Sequence, residues 1–157
     1  MPDLAWAVLC SQSFIDDHSN NVALVVLEQL NLGVAEGAQF PIKIPFRSDL
    51  VCMLVHDRPT EPVKAELRLR LLAPSGKVTR VTDPEIAELK ELRTRVTFRG
   101  DSFTVEAAGV HYFHVQMKTA KSSKWITKAK IPLEISFSTI AVPPNVPVSE
   151  ETPGASS

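Results

Sequence analysis

The chain of 157 residues carries 17 basic and 18 acidic groups, a formal net charge of −1 and a pI near 6.4, a balance that argues against a general polyanion-binding protein. Its length fits one domain, and a chain of this size buries roughly 68–70% of its unfolded surface, so a core forms without staples. No apolar run approaches the roughly 18 uncharged residues of a membrane-spanning helix.

Leu4 to Ser13 reads as a first strand, apolar on both sides. Its opening, Leu4 to Cys10, ends in cysteine as a lipoprotein signal would. It lacks a basic leader, however, the apolar stretch is short, and Leu9 is bulky for a cleavage site. Asp16 to Asn21 has turn chemistry, with short polar side chains that bond their own backbone. Val22 to Leu30 follows as a second strand, making a hairpin with the first. Both are nearly continuous apolar runs, which places them in a sheet interior. Asn31 to Pro41 reads as a loop broken by Gly33 and Gly37. Phe40 to Phe46 is extended and edge-like, because Pro41 and Pro45 cannot donate to a ladder.

Asp49 to His56 is a third main strand, and Arg58 to Pro62 a turn. In Val63 to Leu71 the odd positions (Val63, Ala65, Leu67, Leu69, Leu71) face a core and Lys64, Glu66, Arg68 and Arg70 face water. Ala73-Pro74-Ser75-Gly76 turns the chain into Lys77 to Val81. Thr82-Asp83-Pro84-Glu85 is a helix-start signal, with Asp83 as cap, Pro84 at the first helical position and Glu85 at the positive dipole end. A short helix through Lys90, with Ile86 and Leu89 on one face, is the expectation. Leu92 to Arg99 alternates as a strand, with Arg93, Arg95 and Arg99 outward. Ser102 to Val105 is short and extended.

Gly109 to Met117 and Trp125 to Phe137 form a hairpin across the polar connection Lys118 to Lys124. In the first, His111, Phe113, Val115 and Met117 face one way and Val110, Tyr112, His114 and Gln116 the other. In the second, Trp125, Thr127, Ala129, Ile131, Leu133, Ile135 and Phe137 share the buried face. Beyond Phe137, Pro143, Pro144, Pro147 and Pro153 sit among Ser, Glu and Thr, a composition that cannot offset its ordering entropy. The expected fold is therefore all-β: an antiparallel β-sandwich over residues 1–138, with one short helix and a disordered Pro/Ser-rich tail over 139–157.

Three stretches carry a family resemblance. They are Trp6-Ala7-Val8-Leu9-Cys10 with its Asp-rich turn, Ala65 to Leu71 closed by Ala73-Pro74-Ser75-Gly76-Lys77, and Gly109-x-His111-x-Phe113-x-Val115 followed by Ile131-Pro132-Leu133. Over residues 4–137 the chain resembles a family of uncharacterised bacterial β-sandwich proteins, immunoglobulin-like and known only as a domain of unknown function. The resemblance implies the fold and brings no catalytic residues. His111 stands where an aromatic is usual.

Few residues carry a pattern that points to chemistry. His111 and His114 are three apart, which on a strand sets them on opposite faces and prevents joint chelation. His18 with Asp16 and Asp17 forms a polar hairpin tip, and His56 with Asp57 ends a strand, expected in solvent. Ser11, Ser13, Ser75, Ser122 and Ser123 lack a nucleophile elbow, and the glycines form no phosphate loop. No catalytic residue, metal or cofactor is expected. Cys10 and Cys52 sit in apolar runs, as buried thiols or, if close enough, as a bridge; with no secretion signal, reduced thiols in a cytoplasmic protein are favoured.

Charge is the remaining signal. Residues 1–61 hold 3 basic and 8 acidic groups, and residues 62–130 hold 14 and 7. Arg68, Arg70, Arg93, Arg95, Arg99, Lys128 and Lys130 are all expected outward, a basic face if their strands share a sheet. The reading is a non-catalytic module that contacts another protein or a second copy of itself. The alternative is small-ligand or polyanion binding on the basic face. Nucleic acid ranks low, since Tyr112 alone is an outward aromatic there.

Overall fold

A computed structural model describes residues 1–141 apart from 17, 20 and 59. The described residues form twelve strands and no helix: β1 (Asp3–Ile15), β2 (Val22–Val26), β3 (Gln29–Ala35), β4 (Ile42–Ile44), β5 (Ser48–Val55), β6 (Val63–Leu72), β7 (Val78–Val81), β8 (Glu85–Leu89), β9 (Arg93–Gly100), β10 (Phe103–Val105), β11 (Gly109–Thr119) and β12 (Ile126–Ile140). None of the described residues therefore belongs to a helix long and apolar enough to cross a membrane.

One sheet has the order β2-β1-β5-β9 and the larger one β3-β12-β11-β6-β7, with β8 also paired to β6; β4 and β10 make a two-stranded ribbon. The alternation read in β6 and β11 sets the layers. Ala65, Leu67 and Leu69 are buried, as are His111, Phe113, Val115 and Met117. All of these but His111 join Leu9, Leu50, Cys52, Leu54 and Phe98 of the four-stranded sheet in one apolar cluster. Each leucine, valine, methionine or phenylalanine among them contributes roughly 1.5–3 kcal/mol by leaving water. The ribbon covers one end of this core, where Phe46 meets Phe103 edge-to-face at 6.2 Å.

Several expectations need correction. The helix at Asp83–Lys90 is strand β8, in which Ala87 and Leu89 are buried while Ile86 is 70% exposed. The reason lies in β6: β7 pairs only with Arg70 to Leu72, which leaves Val63 to Leu67 with an open edge. β8 fills it, in register from Val63 opposite Leu89 to Leu67 opposite Glu85. A helix would leave those backbone groups unpaired. Thr82 bridges the jog, its N–H donating to the Leu69 carbonyl at 3.0 Å and its Oγ1 accepting from the Leu69 N–H at 2.9 Å.

The second strand is also two strands. Pairing with β1 ends at Val26, the Leu27 N–H donates to the Leu9 carbonyl at 2.9 Å, and the Glu134 N–H donates to the Glu28 carbonyl at 3.0 Å. The chain thus crosses between sheets at Leu27–Glu28. β3 then runs parallel to β12, from Gln29 opposite Glu134 to Ala35 opposite Ile140. So Asn31 to Ala35 is strand, not loop, with Leu30, Leu32 and Val34 turned inward between Asn31, Gly33 and Ala35. β2 is an edge strand, not an interior one, although β1 does lie between two neighbours. β12 continues through Ile140, past the boundary expected at 138. The disorder expected of the Pro-rich segment concerns residues 142–157, outside the described ones.

Register differs as well. Pairing of β11 with β12 shifts between Val115, opposite Ala129, and Gln116, opposite Thr127. Lys128 is the extra residue of a β-bulge, and a bulge reverses the alternation beyond it. Ala129 to Phe137 keep the inward face as read. Thr127 and Trp125 turn outward instead.

Candidate interaction surface

The outer face of the six-stranded sheet is built from the polar alternates of β6 and β11. Register sets Arg70 directly opposite His114, and His114 opposite Lys130 on β12, so three basic side chains form a row across the sheet. The next row is Arg68, Gln116 and Thr127. Here Arg68 Nε donates to Gln116 Oε1 at 2.9 Å, and Gln116 Nε2 donates to Thr127 Oγ1 at 3.2 Å. The Arg68 guanidinium lies 4.2 Å from the Trp125 ring centroid, and Lys118 Nζ lies 5.0 Å from it. Both cations thus lie within reach of the indole, whose negative π face attracts them.

Lys118 is paired with Glu66 at 3.0 Å. Arg68, Arg70 and Lys130 have no carboxylate partner among the described residues. Burial, then Lys130 and Arg70, hold the His114 pKa below its ordinary value, since a third positive charge in that row is unfavourable. Tyr112, 40% exposed, meets His114 edge-on at 6.3 Å.

The seven cations, expected to form one face if their strands share a sheet, belong to two sheets and three places. Arg68, Arg70 and Lys130 share the outer face of the six-stranded sheet. Arg93, Arg95 and Arg99 lie on β9, alternating with core-facing Val96 and Phe98, and so point away on the opposite side of the molecule. Lys128, displaced by the bulge, reaches across to Asp3 of β1 at 2.8 Å. That contact, with the Leu4 N–H, lowers the Asp3 pKa. Arg99 sits 3.9 Å from the buried carboxylate of Asp49, which accepts from Ser13 Oγ at 2.8 Å.

The histidines separate as their spacing requires, with His111 buried and His114 on the outer face. His56 is not in solvent: it is 3% exposed and its Nε2 donates to the Glu61 carbonyl at 2.8 Å. His18 is exposed at the hairpin tip, its N–H donating to Asp16 Oδ1 at 2.9 Å. Cys10 and Cys52 are both buried and unbridged. Cys10 pairs with Asp49 on the outer side of its sheet while Cys52 faces the core, and burial pushes the Cys52 thiol up to about 12. Among the described residues, no group of three or more His, Cys, Asp or Glu side chains converges as a metal site would require.

Trp125, Gln116 and Lys118 were not singled out by sequence reasoning. Alternation carried unbroken through Lys128 turns Trp125 inward, whereas the bulge there turns it out. The one hint was Ile126, an apolar residue on the supposed water face, which is 52% exposed.

No protein-family model matches the chain, and no curated protein does. Among solved structures it is similar to a β-glucosidase from Listeria innocua in complex with gluconolactone, at 12% identity and a TM-score of 0.41, over 86% of this chain and 16% of that one. It is also similar to the N-terminal domain of PorA, at 9% identity and a TM-score of 0.35, over 84% of this chain and 97% of that domain. The chain thus spans about a sixth of the β-glucosidase.

Proposed function

We propose that this chain is a non-catalytic, immunoglobulin-like β-sandwich that works by contact with another protein, docking an acidic surface on the outer face of its six-stranded sheet. The supporting observation is the pair of adjoining rows in which Arg68, Arg70 and Lys130 have no carboxylate partner among the described residues and stand beside an indole that Arg68 and Lys118 both approach. Carboxylates entering there gain charge-assisted hydrogen bonds, and Trp125 and Tyr112 supply the aromatic contact area that interfaces favour. A reducing, cytoplasmic setting fits the two buried, unbridged thiols.

A second reading, polyanion binding on the same face, is favoured by Trp125 itself, because an outward indole among cations is a stacking platform. One experiment addresses both. In a Trp6→Phe variant Trp125 is the sole tryptophan, and its fluorescence reports on the face. Polyglutamate should change that signal at low salt, and an Arg68→Ala/Arg70→Ala/Lys130→Ala variant should weaken binding on the order of 100-fold. Arg93→Ala/Arg99→Ala, on the opposite side, should leave it unchanged. A response to oligonucleotide alone, steeply lost with salt, would transfer the face to the polyanion reading. Silence toward both would end the proposal.

A further inference from the structure

Strand edges differ sharply in how they are guarded. An exposed edge presents unpaired backbone donors and acceptors, and proteins protect it with charges, proline, glycine or short length. At one end of the four-stranded sheet β9 carries Arg93, Arg95 and Arg99. In the larger sheet β7 carries Arg80, β8 carries Glu85 and Glu88, and β3 carries Gly33 and the polar Asn31. β2, the other edge of the four-stranded sheet, reads Val-Ala-Leu-Val-Val, with no charge, proline or glycine.

The surroundings of β2 are apolar as well. Val25 is 48% and Val26 55% exposed, and on the adjoining end of β1 Phe14 is 57% and Ile15 44% exposed. Phe14 pairs with Ala23 and Gln12 with Val25, so Phe14, Ala23 and Val25 share one side of this hairpin arm. The bulge in this pair lies on β1, between Cys10 and Gln12, which leaves β2 itself regular.

We infer that β2 pairs antiparallel with β2 of a second copy of this chain, across a two-fold axis at Leu24. The strand is nearly palindromic in side-chain type, which selects this occupant. Centred on Leu24, antiparallel pairing sets Val22 against Val26 of the second copy and Ala23 against Val25 of the second copy. No like charges meet, whereas a charged partner strand would find no counter-ion on β2. The two four-stranded sheets become one continuous sheet of twice the width. Phe14 and Val25 of both copies then gather on one side of the junction, as an isologous interface requires. The surface is separate from the cationic face, so either assignment can stand without the other.

Sedimentation equilibrium of the full chain between about 1 and about 100 μM, a range spanning dissociation constants of moderate complexes, tests the inference. The unaltered chain should be a dimer. Val25→Lys and Ala23→Lys, each at an exposed position, should raise the dimer dissociation constant on the order of 100-fold by placing like charges at the junction. A chain monomeric throughout the range, or a dimer that both lysine variants leave intact, overturns it. Should the variants fail to fold, amide exchange on the unaltered chain decides: β2 protection should rise with concentration, and protection flat with concentration overturns the inference.

Discussion

Replacing His111 with phenylalanine should stabilise the protein and flatten its response to acid. The imidazole is 6% exposed and stands opposite Leu133 in the β11–β12 ladder. Its Nδ1 lies 3.3 Å from the Gly109 carbonyl, and Nε2 has no partner among the described residues. An unsatisfied buried polar atom costs about 1–3 kcal/mol. Phenylalanine removes that cost. The space beside the ring is only about 10 Å³, so crowding returns part of the gain. A net stabilisation of about 1 kcal/mol follows near neutral pH.

Burial holds the His111 pKa below its ordinary 6.5, against the opposing pull of the Gly109 carbonyl and Glu106. Below that value the unfolded chain takes up a proton that the folded protein resists. The contribution is complete above the unfolded pKa and is lost as pH falls toward the folded one, by up to about 1.4 kcal/mol per pH unit. His114 is depressed in the same sense, so His111→Phe should remove only part of the slope. The carboxylates of Asp3 and Asp16, lowered from 3.8, lose their contributions only in stronger acid. Urea unfolding of both proteins at about pH 7.5 and about pH 5 reads these effects. A variant destabilised by more than about 2 kcal/mol, or an unchanged slope, would refute the reasoning.

Other substitutions probe the architecture. Phe113→Ala should cost about 3 kcal/mol, the low end for a buried phenylalanine because it already borders a cavity of about 230 Å³, and Tyr112→Ala far less; denaturation midpoints rank them. Leu89→Ala should cost about 2–4 kcal/mol and Ile86→Thr almost nothing, whereas a helix with both on one face would make both costly; thermal unfolding separates the cases. Gly109, at φ 128°, should resist substitution: in Gly109→Ala the new Cβ meets Pro74 Cγ at 3.1 Å, and a loss of about 1–3 kcal/mol is expected in chemical denaturation.

How far the sequence carried the fold depended on what each signal measures. Strict alternation over Val63–Leu71 and Ala129–Phe137 reports which side of a sheet each residue faces, and those assignments hold. Asp83-Pro84-Glu85 reports only local preference, which lost to the open edge of β6. Val22–Leu30 is uniformly apolar, so nothing in its pattern marks the crossing at Leu27. The bulge at Lys128 is one residue set against a partner strand, visible only once the two are paired. The cationic face was therefore legible as residue types but not as a place. Arg68, Arg70 and Lys130 point outward from one sheet and Arg93, Arg95 and Arg99 outward from the other, so orientation was readable where sheet membership was not, and the indole near Arg68 is turned opposite to its alternation.

The parallel pairing of β3 with β12 bears on how the molecule assembles. Gln29 bonds Glu134 across 105 positions of chain, so Leu30, Leu32 and Val34 find their neighbours only after nearly all intervening strands exist. During synthesis this early segment must wait, greasy and unpaired, for the latest strand to arrive. Such distant closure makes for slow folding, and chaperone occupancy should concentrate on residues 29–35 until β12 emerges.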